Sequence, residues 1–449
     1  MILTQCAACA APLGLAKGKK CGRCSTRYCG PACQRQHWDQ GGHDRLCKPM
    51  KKAGGAEQYN ANKKYAEAVA VAAEKCADDT KGQTCYICTQ ALHWKTKEGL
   101  VRMCACRGTA GFAHVSCLAE QAKILVAEAE ENNLDVEPRW NRWQTCSLCE
   151  QEYHGVVRCA LGWACWKTYV GRPETDSRRL DAITMLGNGL SHAGRSEDAL
   201  SVREAEISTL RRLGGSGEAI LVVQSNLSNT YDRLGRPEAL NMYRDVYSGW
   251  LKLNGEEDEH TLMAAGNYAV SLFQIDRFEE ARSLLSKMTP VARRVLGESH
   301  ELMFKMRTIY AEALYLDTGA TLDDLSEAVA TLEETTRIAR RVLGGTHPHT
   351  ERIERALRRA RAALGAHEIR ATLPVPRFKV GARVECSVKE KFLEGTVVRH
   401  HYRESDWEPD VFAPYQVKLD GHSPGLIYAR WDEDDCIRAA GADSDAETV

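Results

Sequence analysis

The chain has 449 residues, with 60 Lys and Arg against 61 Asp and Glu, and its formal net charge is −1. A balance this even excludes a bulk basic or acidic character that would draw the chain to nucleic acid or to a membrane surface. At roughly 150 residues per domain, the length predicts about three domains. Most of the 19 cysteines fall in two clusters with metal-ligand spacing. We expect no signal peptide and no transmembrane segment, which favours the cytoplasm or the nucleus, where thiols stay reduced.

The first cluster, within residues 1–50, contains soft ligands in close pairs. The pairs are Cys6 with Cys9, Cys21 with Cys24, Cys29 with Cys33, and His43 with Cys47. A Cys-x2-Cys pair can turn both thiolates onto one ion, and an i, i+4 pair lies on one face of a helix. In a cross-braced arrangement alternate pairs share a metal. We therefore expect one zinc on Cys6, Cys9, Cys29 and Cys33, and a second on Cys21, Cys24, His43 and Cys47.

The second half of this cluster carries a family resemblance. The runs Tyr28-Cys29, Cys33-Gln34 and His37-Trp38, followed by His43 and Cys47, resemble the MYND zinc finger. The resemblance implies a zinc-folded module that binds short, often proline-containing peptides and performs no chemistry. The gap from Trp38 to His43 is slightly longer than usual, so His37 is a rival ligand. Residues 51–80 are predicted to form a helical linker.

The second cluster, within residues 81–155, again has ligands in pairs. They are Cys85, Cys88, Cys104, Cys106, His114, Cys117, Cys146 and Cys149. Cross-bracing predicts one zinc on Cys85, Cys88, His114 and Cys117, and another on Cys104, Cys106, Cys146 and Cys149. Together the two clusters predict about four zinc ions per chain, two in each finger.

The ligand order and the run Cys104-Ala-Cys106-Arg107-Gly108 before His114 resemble the RING-CH (RING-variant) finger. That resemblance implies an E3 ubiquitin ligase that docks a ubiquitin-conjugating enzyme (E2) through Ile87, with Trp140 or Trp143 as the other wall of the groove. The chain departs from the family in its long loop before Cys146 and in Glu150, which replaces a basic residue. The alternative is a PHD-like or degenerate treble finger that only holds this region together.

Residues 177–366 are predicted to form a helical repeat array. Similar segments each place a small residue after a Gly- or Asp-containing turn, at Ala199, Ala239, Ala281 and Ala328, in steps of about 40 to 47 residues. One helical pair cannot cover its own apolar face, so the pairs must stack into a solenoid. The pattern resembles tetratricopeptide (TPR) repeats of the kinesin-light-chain type, which implies a groove that binds partner proteins.

Residues 374–438 show short alternating segments separated by turns, which predict a small β-barrel. The pattern resembles SH3-like and Tudor-type barrels, and Tyr402, Trp407, Tyr415 and Tyr428 are candidates for an aromatic cage around a methylated ammonium. The alternative is that these rings simply fill the barrel. The acidic residues 439–449 are predicted to be disordered.

Two functions follow from these modules. In the first, the chain is a zinc-binding adaptor whose MYND finger and TPR-like groove bind partner proteins. In the second, residues 85–149 recruit an E2 and the other modules select substrates. We find no P-loop, no Gly-x-Ser-x-Gly and no HExxH motif, and nothing resembles the cofactor motif of SET–MYND methyltransferases. We assign no catalytic residue, leave enzyme activity open, and do not expect nucleic acid among the partners.

Overall fold

The computed structural model of the chain describes residues 5–11, 13, 18–345, 347–388, 391–404, 407, 411–421 and 425–441. The chain divides into two compact units, Met1–Ala264 and Ala265–Val449. The division falls inside one of the helices. No helix in the described ranges is both long enough and apolar enough to cross a membrane.

The first unit begins with a small β-hairpin and continues with helices. Its elements are β1 (Lys19–Lys20), β2 (Arg27–Tyr28), α1 (Pro31–Asp39), α2 (His43–Lys52), α3 (Ala56–Lys75), α4 (Val115–Glu131), α5 (Glu137–Trp140), a 3-10 turn (Asn141–Trp143), α6 (Gly155–Tyr169), α7 (Ser177–His192), α8 (Ser196–Leu213), α9 (Gly217–Arg233) and α10 (Glu238–Asn254). Helix α11 (Glu259–Gln274) contains the division. Side chains cap several helices: Asp176 accepts a hydrogen bond from the Arg179 amide at the start of α7, and Ser216 does the same for α9.

Helix α6 lies at the centre of the first unit. Every residue from Val157 to Trp166 is buried, as expected of a helix that is apolar on all sides. It packs on α3, α4 and α7, and one continuous core extends from Ala61 on α3 to Ala205 on α8. The one charged residue in this buried stretch is Arg158, whose guanidinium pairs with the Glu152 carboxylate. The core therefore joins the second cysteine cluster to the first helical repeat.

Glycines allow α6 and α7 to approach each other closely. A Cβ atom on Gly189 of α7 would lie 2.8 Å from the Arg158 carbonyl oxygen, and one on Gly162 of α6 would lie 2.9 Å from the Met185 carbonyl oxygen. Real Cβ atoms do not approach backbone this closely. The two helices thus pack backbone against backbone, and each supplies one of the two glycines.

The second unit contains the later repeats. They are α12 (Phe278–Leu296), α13 (Glu301–Leu316), α14 (Leu322–Leu343) and α15 (Pro348–Thr372). Each helix packs on the next, and Thr321 and Asp324 form a reciprocal capping box at the start of α14. His300 and His347 are helix N-caps whose side chains accept backbone hydrogen bonds.

The small residues that define the repeat register are buried in both units. Ala199, Ala281 and Ala328 have no exposed surface, and Ala239 is 4% exposed. A larger side chain at these positions would hold neighbouring helices apart. The prediction of a multidomain chain with a TPR-like helical solenoid is confirmed.

A five-stranded antiparallel sheet follows, also in the second unit. Its strands are β3 (Arg383–Val388), β4 (Lys391–Tyr402), β5 (Ala413–Leu419), β6 (Leu426–Ala429) and β7 (Ile437–Ala439), in the order β6-β5-β4-β3-β7. A bulge between Val397 and Arg399 shifts the register of β4 against β5. The predicted C-terminal β module is confirmed as this sheet, and barrel closure stays a prediction. Of the predicted acidic tail, Ala439 belongs to β7 and residues 442–449 lie outside the described residues.

Candidate metal centres and neighbouring surfaces

The four predicted ligand sets are each brought together in space. In every set the four ligand atoms lie within 4.8 Å of one another. The sets are Cys6, Cys9, Cys29 and Cys33; Cys21, Cys24, His43 and Cys47; Cys85, Cys88, His114 and Cys117; and Cys104, Cys106, Cys146 and Cys149. Two of these sets contain four thiols, and the other two contain three thiols and an imidazole. Both are donor sets that structural zinc prefers.

The Cys-x2-Cys pairs share one backbone geometry. In each pair the amide of the first cysteine donates to the carbonyl oxygen five residues on, at 2.8 to 3.0 Å. The residue directly after each second cysteine has positive φ: Ala10 (56°), Ser25 (62°), Thr89 (60°) and Glu150 (54°). None of them is glycine, so each adopts an unfavourable backbone conformation that costs about 1 kcal/mol or more. The same turn at four separate sites indicates one common purpose, the presentation of two thiols to one ion.

The first finger uses its two short helices to supply the remaining ligands. Cys29 and Cys33 flank the start of α1, and their sulfur atoms are 3.2 Å apart. His43 begins α2, and its Nε2 is 3.5 Å from the Cys24 sulfur. The rival ligand His37 lies outside the sets, because its Nδ1 is hydrogen-bonded to the Tyr28 hydroxyl at 2.9 Å. The geometry therefore places His43, and not His37, among the ligands.

In the second cluster the histidine is oriented from both sides. Nδ1 of His114 lies 3.3 Å from the Cys88 sulfur, while its Nε2 lies 3.4 Å from the Ala91 carbonyl oxygen, which can accept its proton. A hydrogen bond of this kind fixes the tautomer that leaves the other nitrogen free for a metal. Nearby, Gly111 has a φ of 85°, and a Cβ atom there would lie 2.6 Å from the Cβ of Cys106.

The crowded thiols need a cation to ionise together. Burial, followed by the neighbouring Cys21 thiol, raises the pKa of Cys47 to about 11. Burial likewise raises the pKa of Cys106 to about 11. A divalent zinc ion would supply the missing positive charge and would hold each small finger folded. The residues present fit zinc, and these clusters support zinc binding by the chain.

The predicted E2-contact residues have different environments. Ile87 is 37% exposed. Trp140 and Trp143 are 4% and 2% exposed, and both rings pack against Tyr169 of α6. Neither tryptophan can form a wall of an open groove, so the sequence-based expectation for these two residues was wrong. The spacing of a motif does not report which side chains the following helix will bury.

Sequence reasoning missed a second exposed residue beside Ile87. Leu148 lies between Cys146 and Cys149 and is 51% exposed. It has the same place in this Cys-x2-Cys knuckle as Ile87 has in the knuckle of Cys85 and Cys88. The two knuckles are adjacent, because the Tyr86 hydroxyl is 3.0 Å from the Ser147 hydroxyl. The sequence signal that could have identified Leu148 is an apolar residue at the same position in both knuckles. The Glu150 carboxylate that follows is held by Arg142 through two hydrogen bonds of 3.0 and 3.1 Å.

The predicted aromatic cage is only partly assembled. Tyr402, Trp407 and Tyr428 form one cluster, with ring centroids 4.8 to 6.2 Å apart. Tyr415 is fully buried, and its hydroxyl accepts a hydrogen bond from the Phe378 amide at 3.0 Å. Tyr415 thus belongs to the core of the sheet, which corrects its assignment to a cage. The other three rings lie at the separations of aromatic pairs, as they would in a packed cluster.

The fold and these sites define a multidomain zinc-finger protein with TPR-like helical repeats. Residues 6–47 match the MYND finger family model, and residues 261–301 match a tetratricopeptide repeat model. No curated protein matches the chain.

Solved structures with related repeats include a kinesin light chain of Podosopora anserina with nearly identical TPR-like repeats. It is 21% identical, covers 42% of this chain and 88% of its own, and has a TM-score of 0.37. BtubC from P. vanneervenii is 14% identical, covers 59% of this chain and 94% of its own, and has a TM-score of 0.32. Scores this low carry no argument, so the repeat assignment depends on the family match and on the buried alanines.

Proposed function

We propose that the chain is a protein–protein interaction adaptor, in which the zinc finger at 6–47 and the helical repeats each bind a partner protein. The observation that carries the proposal is the finger itself, whose ligands lie together in two sets and whose sequence matches a MYND finger. The thiols of such sites must stay reduced, so we place the protein in the cytoplasm or the nucleus. We further propose about four zinc ions per chain, one for each ligand set.

Trp38 is the residue of the finger that we expect to contact a peptide. It lies on α1, is 43% exposed, and its ring packs edge-on against the His43 ring at 5.6 Å between centroids. Because His43 belongs to a ligand set, metal binding would fix the position of the tryptophan. Exposed, preorganised tryptophans are frequent anchors of protein interfaces. A proline-containing peptide offers a flat apolar surface to such a ring.

A cavity in the second unit supports partner binding by the repeats. It has a volume of about 340 Å³, lies among α12, α13 and α14, and is lined by Leu285, Pro290 and Tyr310 together with Arg307. The Arg307 side chain is 5% exposed; its Nη2 makes no hydrogen bond among the described residues and lies 3.7 Å from the Glu298 carboxylate, and its Nη1 lies 3.6 Å from the Glu334 carboxylate. A cavity with both apolar and charged groups in its wall suits a partner side chain that has an apolar body and a polar end.

Peptide binding to the purified full chain tests the proposal. We expect some members of a panel of fluorescein-labelled, proline-containing peptides to raise fluorescence anisotropy with the zinc-loaded protein. Trp38→Ala should weaken this binding about tenfold or more. Trp431→Ala is the matched control, since it removes a tryptophan that is 64% exposed and lies outside the finger, and it should leave the affinity unchanged. Equal binding by Trp38→Ala and wild type, or no binding by any peptide, would refute peptide recognition by the finger.

As a second candidate we propose a RING-CH-type E3 ligase that docks an E2 on Ile87 and Leu148. The supporting observation is that these two apolar side chains are exposed on adjacent knuckles. Autoubiquitination across an E2 panel tests this candidate. Wild type should form ubiquitin chains, and Ile87→Ala and Leu148→Ala should each abolish them without loss of zinc. Absence of chains with every E2 would leave the adaptor as the function of the chain.

A further inference from the structure

A cleft beside the second cysteine cluster has the properties of a docking site. It lies in the first unit, between the loop of residues 91–97 and helices α3, α4 and α6, and has a volume of about 760 Å³. Neither the finger at 6–47 nor the cavity lined by Arg307 includes its residues. Its features are an exposed tryptophan at the rim, lysines along the wall, and a network of hydroxyl groups on its floor.

The loop at the rim holds its tryptophan in a fixed position. His93 is buried, its ring lies 5.3 Å from the His114 ring, and its Nδ1 accepts a hydrogen bond from the Thr96 amide at 3.2 Å. The Ala91 carbonyl oxygen is within reach of His114 Nε2, so the loop is attached to a candidate metal ligand at two points. Trp94 nevertheless points outward and is 68% exposed. A large apolar side chain held out by a well-bonded loop is typical of an interaction surface.

Positive charge dominates the cleft. Lys95, Lys123 and Lys167 line it, and Glu120 is the one acidic residue of the lining. Glu120 is already paired with Lys123 at 3.2 Å. Among the described residues, no carboxylate lies within ion-pair distance of Lys95 or Lys167. The cleft therefore offers two ammonium groups to an incoming anion.

Lys167 lies at the floor and is only partly exposed. Its Nζ is 4.2 Å from the centroid of the Tyr65 ring, and burial lowers the pKa of the ammonium below its ordinary value. The Tyr65 hydroxyl is hydrogen-bonded to Ser116 at 2.9 Å. The nearby Glu98 carboxylate is occupied, because it accepts hydrogen bonds from the Ser116 amide and hydroxyl at 2.7 and 2.8 Å. A partner carboxylate would offset the desolvation of Lys167, which pairs with no carboxylate among the described residues.

We propose that this cleft binds an acidic segment of a partner protein, with carboxylates on Lys95 and Lys167 and an apolar side chain against Trp94. The combination of a fixed exposed ring and two unpaired ammonium groups within one cleft selects a peptide that is both acidic and apolar. This partner surface goes beyond the adaptor function proposed above, since its residues are distinct from Trp38 and from Arg307.

The proposal is tested with fluorescein-labelled short peptides that contain several glutamates around one phenylalanine, titrated into the zinc-loaded full chain. We expect saturable binding that weakens as salt rises. Lys167→Met, Lys95→Glu and Trp94→Ala should each weaken it about tenfold or more. Lys97→Glu is the matched control, because Lys97 is exposed on the same loop but does not line the cleft. It should weaken binding much less than Lys95→Glu.

Three results with peptides would overturn the proposal. They are absence of binding at millimolar peptide, equal binding of a peptide with lysine in place of glutamate, and equal losses for Lys95→Glu and Lys97→Glu. A single-stranded oligonucleotide that competes for the cleft and binds more tightly than the acidic peptide would also overturn it in favour of nucleic acid. Zinc content and circular dichroism confirm that each variant is folded. Trp38→Ala should retain acidic-peptide binding, which separates this result from the test of the finger.

Discussion

Replacement of Gly189 by alanine tests the close contact between α6 and α7. The added methyl group would lie 2.8 Å from the Arg158 carbonyl oxygen and 3.0 Å from the Cys159 Cα. Both neighbours are backbone atoms of a fully buried helix, so the helices must move apart. Overpacking of this kind costs about 1–3 kcal/mol, whereas Gly→Ala inside a helix returns about 1 kcal/mol. The clash with backbone places the cost in the upper part of its range. We therefore expect a net loss of about 1–2 kcal/mol, roughly 5- to 30-fold in the ratio of folded to unfolded protein.

Urea unfolding followed by tryptophan fluorescence measures this loss, because Trp163 and Trp166 of α6 are buried in the affected core. Gly217→Ala is the matched control in the same unit. It makes the same chemical change at the start of α9, where the nearest atom to the new methyl group, Leu253 Cδ2, is 3.9 Å away. The control should keep or raise the unfolding midpoint. If Gly189→Ala raises the midpoint as much as the control does, the backbone contact between the two helices is wrong.

Three further predictions concern the metal sites and a helix cap. Cys21→Ser should lower bound zinc from about four to about three ions per chain, as measured by mass spectrometry of the purified protein. A wild-type value of two or fewer would refute the four-site assignment. Gly111→Ala should remove one zinc, because the new Cβ would collide with Cys106. Gly108→Ala is the control and should retain all zinc, because Gly108 also has positive φ but has open space around its Cβ. Thr321→Ala should destabilise α14 by about 1 kcal/mol, and this loss should shrink at acid pH. The Thr321 backbone, followed by its hydroxyl, lowers the pKa of Asp324, so the carboxylate stabilises the fold above pH of about 4 and loses that effect as pH falls. Far-UV circular dichroism at neutral and acid pH checks the last point, and an unchanged loss at acid pH would contradict it.

The ligand sets and the repeats could be predicted from the sequence because their determinants are short in range. The spacing of Cys21 and Cys24 is enough to fix a knuckle, and the recurring alanines at Ala199 and Ala281 are enough to fix the register of helical pairs. These patterns describe contacts between residues that are close in the chain or repeat at a constant interval. The cross-braced grouping goes beyond local spacing, since it joins residues such as Cys106 and Cys146, which are 40 residues apart, and it comes from the rule that alternate pairs share a metal.

The errors arose where long-range packing decides the outcome. Trp140 and Trp143 lie before the last ligand pair, where the RING-CH resemblance implies a contact wall, but α6, which comes later in the chain, covers both rings. Alternation along β5 placed Tyr415 on one face of a strand without showing that this face is the core. Trp94 and Lys167 are far apart in sequence, so no local pattern indicates that they share a cleft.

The burial of α6 has a consequence for how the chain can be divided. Residues 156–176 fall between the two modules that the sequence suggests, yet the helix they contain fills the interior shared by both. A fragment that stops at residue 155 would leave α3 and α4 with apolar faces open to water, and one that starts at 177 would do the same to α7. The second cysteine cluster and the first helical pair therefore share one core and should unfold together. Exchange of either one between proteins would have to carry α6 with it.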